Sequence, residues 1–229
     1  MRILYDFEFE TGRTEHFDLR FDRDTLSFQP RLTNNLPDWT LLDCNICPHC
    51  TLDRISHERC PLAVCIHEAV DRFRLLVSHE PVSVQVTSDE RKCFQKTTAQ
   101  KALSSMLGLL MPCSGCPHTL FFRPMARFHL PFSSKEETLH RALSNLLLAR
   151  YFRGDGAVPA GDPLLELKAI YKNIECMNVW VARRIREHVK ADSSVNALVL
   201  LDLFAKMVSF SEDAPLEAIR NLFTIYKEG

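Results

Sequence analysis

Ile3-Leu-Tyr5-Asp-Phe7-Glu-Phe9, then Thr11-Gly12-Arg13, then Phe17-Asp-Leu19-Arg-Phe21 is the stretch on which the fold class turns. Apolar and polar side chains alternate over residues 2 to 9 and 16 to 28, and a period of two puts every second side chain on one face of a strand. The glycine-bearing connection makes the pair a β-hairpin with one buried aromatic face. The same pattern returns at Val82, Val84 and Val86. Ser88-Asp-Glu90-Arg91 then turns the chain into Lys92 to Thr97, a second hairpin. Periodicity alone leaves open whether the two hairpins share one sheet.

The remainder reads as helix. Pro61 suits a first helical position, and Leu62, Ala69, Val70, Phe73, Leu76 and Val77 make a stripe that predicts a helix from Cys60-Pro61 to about Ser78. Ala102 to Leu110 forms a second apolar helix, stopped by Pro112. Ser134-Lys-Glu-Glu137 is a capping box that opens a third, through Tyr151. After a Gly/Pro/Asp-rich linker at Gly154 to Gly161, Asp162-Pro163 starts a long helix reaching Val189, and two further helices are expected over about Ser194–Val208 and Asp213–Tyr226. The expected architecture is α+β: two small β-hairpins packed beside a bundle of five or six helices. Residues 1–97 carry the hairpins and a cysteine cluster, 98–229 are mainly helical, and the two are expected to form one compact unit.

Composition narrows the function. The chain has 229 residues, 28 Lys+Arg against 29 Asp+Glu and a net charge of −1, which argues against a nucleic-acid or membrane-surface binder. Residues 102 to 122 carry no charged side chain, yet Ser104, Ser105, Pro112, Ser114 and Gly115 make a buried helix and turn a better reading than a membrane span. With only 7 Gly there is no GxGxxG, GxxxxGK[ST] or GxSxG string, so the glycine-dependent phosphate loops and the serine nucleophile elbow are missing. Nine Cys, an odd count, and an opening Met1 to Asp6 without a long apolar run point to a reducing, cytoplasmic setting with thiols that are free, metal-bound or redox-active.

Five of those Cys fall in the 22 positions from Cys44 to Cys65. In Cys47-Pro-His-Cys50 a C-x2-C turn can aim two sulfurs at one ion, and Cys60 and Cys116, each directly before Pro, are the preferred third and fourth ligands. A helix or turn begins at both, so backbone N–H groups favour thiolate there. His118, His57 and Cys113 are reserves. Cys44 forms an equally good C-x2-C pair with Cys47, so register stays open. Four thiolates suit a closed, structural Zn²⁺ site; cysteines before Pro also occur as iron–sulfur ligands, and the plain alternative is inert buried thiols. Cys113-Ser-Gly-Cys116 is itself a C-x-x-C, but it follows an apolar helix rather than a strand, unlike a thioredoxin-type motif. His67-Glu68-Ala-Val-Asp71 approaches H-E-x-x-H but ends in Asp, and reads as a solvated helix face.

A second signal is electrostatic. The 45 residues from Arg91 to Lys135 contain seven Lys or Arg and no Asp or Glu. Arg123 and Arg127, four apart on one helix face, with His129, could hold an anionic small molecule or protein partner. Alternatively, the two arginines pair with carboxylates of the acidic N-terminal hairpin, such as Glu8, Glu15 and Asp18.

Through Ser114-Gly-Cys116-Pro-His118-Thr, Pro124-Met-Ala-Arg127-Phe-His129-Leu-Pro131-Phe132, the Cys47/Cys50/Cys60 cluster and the tail Asn196-Ala-Leu-Val-Leu-Leu-Asp202-Leu-Phe, the chain resembles a family of bacterial proteins described only as a domain of unknown function. The resemblance spans most of the chain and implies a bacterial, cytoplasmic protein without naming a substrate. The first expectation is therefore a non-enzymatic module with a structural zinc site. The second is a metal-dependent enzyme or iron–sulfur sensor built on the same cysteines, with His118 or His129 as acid/base or ligand.

Overall fold

The two hairpins join edge to edge. In the computed structural model, which describes residues 1–30, 35–154, 162–188, 192–210 and 219–226, strands β1 (Arg2–Phe9), β2 (Thr14–Arg20), β3 (Pro81–Thr87) and β4 (Lys92–Thr98) make one antiparallel sheet in the order β2-β1-β3-β4. β1 is the hinge of this arrangement: Tyr5 lies opposite Phe17 on β2 and opposite Val86 on β3. That register places Ile3, Tyr5, Phe7, Phe9, Phe17, Leu19, Val82, Val84 and Val86 on one buried face. β2 ends at Arg20, short of the alternation that continues to Phe28. The Asp22 carboxylate accepts from the N–H groups of Asp24 and Thr25 (3.0 and 2.7 Å), so an Asx turn interrupts the strand, and only an isolated bridge links Phe21 to Phe28.

Helix α1 (Pro61–Phe73) and helix α2 (Ala99–Leu110) cover the buried face. Phe73 of α1 packs edge-on to Phe7 with ring centroids 5.0 Å apart, and Arg72 lies over the Phe17 ring at 4.1 Å. α1 stops at Phe73 rather than near Ser78. Arg74 N–H and Leu76 N–H close short turns onto Asp71 and Phe73, and Leu75 and Val77 end up facing solvent. α2 passes into a 3₁₀ turn at Met111–Cys113, where Pro112 removes the next helical donor. Further 3₁₀ turn over Pro117–Phe122 leads to the short α3 (Arg123–Arg127).

α4 (Lys135–Arg153) opens with the capping box formed by Ser134 and Glu137 and closes at Gly154, whose φ of 76° is the left-handed cap. α5 (Pro163–His188) begins where Asp162 accepts from Leu164 N–H at 2.8 Å, and it packs against α6 (Asp192–Phe210). α6 in turn lies on α2, and Asn196 donates to Ser78 at 2.6 Å. Most of the Gly154–Gly161 linker and the start of the last expected helix lie outside the described residues. Its described part ends in a 3₁₀ turn at Asn221–Tyr226. The buried side chains form one connected core, from Ile3 on β1 through Met106 and Leu146 to Ile219.

Candidate functional site

The loop from Trp39 to Cys60 is closed at its base. Leu42 N–H bonds to Glu58 O and Cys60 N–H to Thr40 O, at 2.9 and 2.8 Å, and Arg59 reaches Thr40 Oγ1 at 2.6 Å. Inside it Cys50 N–H turns back onto Cys47 O at 3.0 Å, the tight turn a C-x2-C pair needs. Cys60 caps α1 and Cys116 caps the Pro117–Phe122 turn. Their backbones are nearly superposable in conformation, at φ −70°, ψ 115° and φ −67°, ψ 125°. Gly115, at φ +92°, supplies the left-handed turn that delivers Cys116, and a Cβ there would lie 3.7 Å from Pro61.

Cys47, Cys50, Cys60 and Cys116 line a single pocket of about 20 Å³, room for one water-sized body. His118 and Arg184 complete its polar wall, and Leu42, Ile46, Leu52, Leu62, Met177 and Val181 make the rest apolar. Burial pushes the Cys47 thiol up to about 12, reinforced by Cys60 and Cys116 and opposed by Arg184. Burial raises Cys116 to about 11; the N–H of His118 opposes this, while Cys60 and Cys50 add to it. Each thiolate thus makes the next harder to form, a repulsion a bound cation would reverse. Among the described residues, no group of three or more His, Cys, Asp or Glu side chains stands in an arrangement that could hold a metal ion as set. The donor chemistry and pocket size fit a single thiophilic ion; the sulfurs are neighbours rather than a drawn-in ligand cage.

The reserve residues separate. Cys44 is not in the pocket; burial raises its thiol, with Arg184 and Glu187 acting in opposite senses. Cys113 is buried beside Cys65, and burial takes it up to about 12, so the C-x-x-C of Cys113 and Cys116 splits between two environments. His57 is exposed, with Nδ1 on Asp53 O at 3.2 Å.

Two residues around the pocket, Arg184 and His49, escaped the sequence reading, and Cys176, less favoured as a ligand because it lies within a helix, joins them from α5. Arg184, 2% exposed, donates to the carbonyls of Trp39 (3.0 Å), Leu41 (2.7 Å), Leu42 (3.3 Å) and Asn45 (3.4 Å). Cys176 Sγ donates to His49 Nδ1 at 3.2 Å while His49 Nε2 donates to Asn173 O at 3.2 Å. The His49 and His118 rings lie with centroids 4.0 Å apart, tilted at 46°, and His118 Nε2 donates to His49 O at 2.8 Å. The available signal was spacing: Met177, Val181 and Arg184 recur at four and three residues, so the arginine falls on the inward stripe of α5.

The basic stretch divides as well. Arg123 donates to Pro112 O and Thr25 O at 3.4 and 3.2 Å. Arg127 pairs at 3.1 Å with Glu90, a carboxylate of the β3–β4 turn rather than of the N-terminal hairpin. His129 bonds through Nε2 to the Tyr5 hydroxyl at 2.6 Å, and burial, aided by Arg141, lowers it to about 3, so it is neutral at pH 7. Arg127 and His129 line a cavity of about 180 Å³ that does not include Arg123.

A family model, the domain of unknown function DUF6901, matches residues 3–224. The chain belongs to this family. No curated protein and no solved structure matches it. No helix among the described residues is long and apolar enough to cross a membrane, including the uncharged stretch over α2.

Proposed function

We propose that this DUF6901 chain is a non-enzymatic, zinc-bearing module. Zinc would be held by Cys47, Cys50, Cys60 and Cys116, pinning the loop after the first hairpin to the turn that follows α2. The observation that carries this is the convergence of four thiols, from three separate segments, on one ion-sized pocket. A pocket of about 20 Å³ suits a single ion better than an iron–sulfur cluster. With four protein ligands there is no open position for substrate, so the metal's contribution is folding free energy. The basic surface around Arg127 is where an anionic ligand or partner would engage.

Elemental mass spectrometry and visible absorption of untagged, anaerobically purified protein test the reading. About one equivalent of zinc without colour is expected, with Cys60→Ser and Cys116→Ser losing both metal and stability. Iron and sulfide with a brown colour would replace zinc by a redox or sensor centre. A metal-free, fully folded protein would overturn the ligand assignment.

A further inference from the structure

The 180 Å³ cavity lies at the end of the sheet where β1 starts and β3 turns into β4. Its inner wall is mostly apolar: Ile3 and Val86 from the buried face of the sheet, with Cys93 of β4 and Pro131 from the segment after α3, beside the neutral His129; Phe128 stands exposed at the rim. Its mouth is charged. Arg127 and Glu90 approach from opposite walls and meet at 3.1 Å, both about half exposed. Arg91, also at the mouth, makes no side-chain hydrogen bond or ion pair among the described residues, and its charge reaches Arg141 behind the wall. The site thus offers two guanidiniums, one of them uncommitted, against a single carboxylate, above an apolar interior.

We infer that this cavity binds a small carboxylate with a short aliphatic tail, its head on Arg127 and Arg91 and its tail against Ile3, Val86 and Pro131. The inference rests on the proposed anion-binding role of the basic surface and specifies its ligand. Glu90 occupies the ligand's place: it is a carboxylate already seated on Arg127, held by an exposed ion pair of the weak kind. An incoming carboxylate exchanges one such pair for another, so the net gain comes from the tail. Each methylene removed from water tightens binding about fourfold. A cavity of about 180 Å³, close to the ~150 Å³ that accommodates a benzene ring, limits the tail to roughly six carbons.

Calorimetric titration of the full chain with acetate, butanoate, hexanoate and inorganic phosphate, at constant chloride, tests this. Affinity is expected to rise about fourfold per methylene from acetate to hexanoate. Glu90→Gln, which removes the resident competitor, should tighten hexanoate about two- to fivefold, the worth of one exposed ion pair, and adding Arg127→Ala to it should abolish that gain. Cys93→Met, which narrows the cavity, should weaken hexanoate while leaving acetate unchanged. Equal, Arg127-dependent affinity for acetate, hexanoate and phosphate would overturn the cavity while leaving the basic-surface role intact. Failure of every anion to bind either wild type or Glu90→Gln would overturn both.

Discussion

Replacing Arg184 by Met tests whether α5 holds the cysteine loop in place. The methionine fills similar volume but withdraws the donors to Trp39, Leu41, Leu42 and Asn45. Only the two bonds at 3.0 and 2.7 Å are short enough to count fully. Hydrogen bonds to a charged group contribute about 1.5–3 kcal/mol each, so the variant should lose roughly 3–6 kcal/mol, a large part of the stability of a typical domain. Urea unfolding followed by fluorescence is well suited, because Trp39 is buried at the base of the loop and should report its opening directly. Arg184→Lys keeps the charge without the planar fork and should recover less than half of the loss. On the proposed zinc reading, zinc affinity should fall in step, about 10- to 100-fold, as for other groups that orient ligands from behind. A methionine variant within about 1 kcal/mol of wild type would refute the clamp.

Three other perturbations are informative. His129 is depressed to about 3 when folded against an ordinary value of 6.5, so between those values the unfolded chain binds one more proton and stability falls as pH falls. The slope, about 1.4 kcal/mol per pH unit and absent above pH 6.5, should flatten in His129→Gln, measured by denaturant titrations at pH 4–7; an unchanged slope would place the proton elsewhere. Asn178 is 1% exposed, and neither of its amide atoms has a hydrogen-bond partner among the described residues. Asn178→Leu should therefore raise stability by about 1–2 kcal/mol in thermal unfolding, whereas a loss would show that the amide is satisfied. Gly115→Ala forces a Cβ into φ +92° and should cost about 1–2 kcal/mol while displacing Cys116; zinc retention at wild-type affinity would argue against Cys116 as a ligand.

Local patterns were readable wherever one residue type enforces one geometry. Alternation located β1, β2 and β3 and the Ser88–Arg91 turn located β4, while Pro112, Ser134 with Glu137, and Asp162 marked helix ends that the structure places within a residue or two. The failures share a cause. β2 was extended to Phe28 because alternation cannot register the Asp22 turn, and α1 was extended because Leu76 and Val77 continue its apolar stripe, although only Leu76 is buried and Val77 faces solvent. Pairing of β1 with β3 is a contact between residues some 80 positions apart, for which no local period exists. The cysteine register was undecidable for the same reason: Cys47 is the more deeply buried and lies near Cys60 and Cys116, which Cys44 does not, and spacing along the chain shows neither.

The bonds from Arg184 also set an order of events. The Trp39 carbonyl and its donor are 145 residues apart, so during synthesis the loop is complete long before the side chain that closes it exists. Until α5 leaves the ribosome, the loop's inward carbonyls face water and its thiols stand exposed to oxidants and competing metals. Non-local closure of this kind slows folding, and the nascent chain's cysteine segment is the part most in need of protection in that interval.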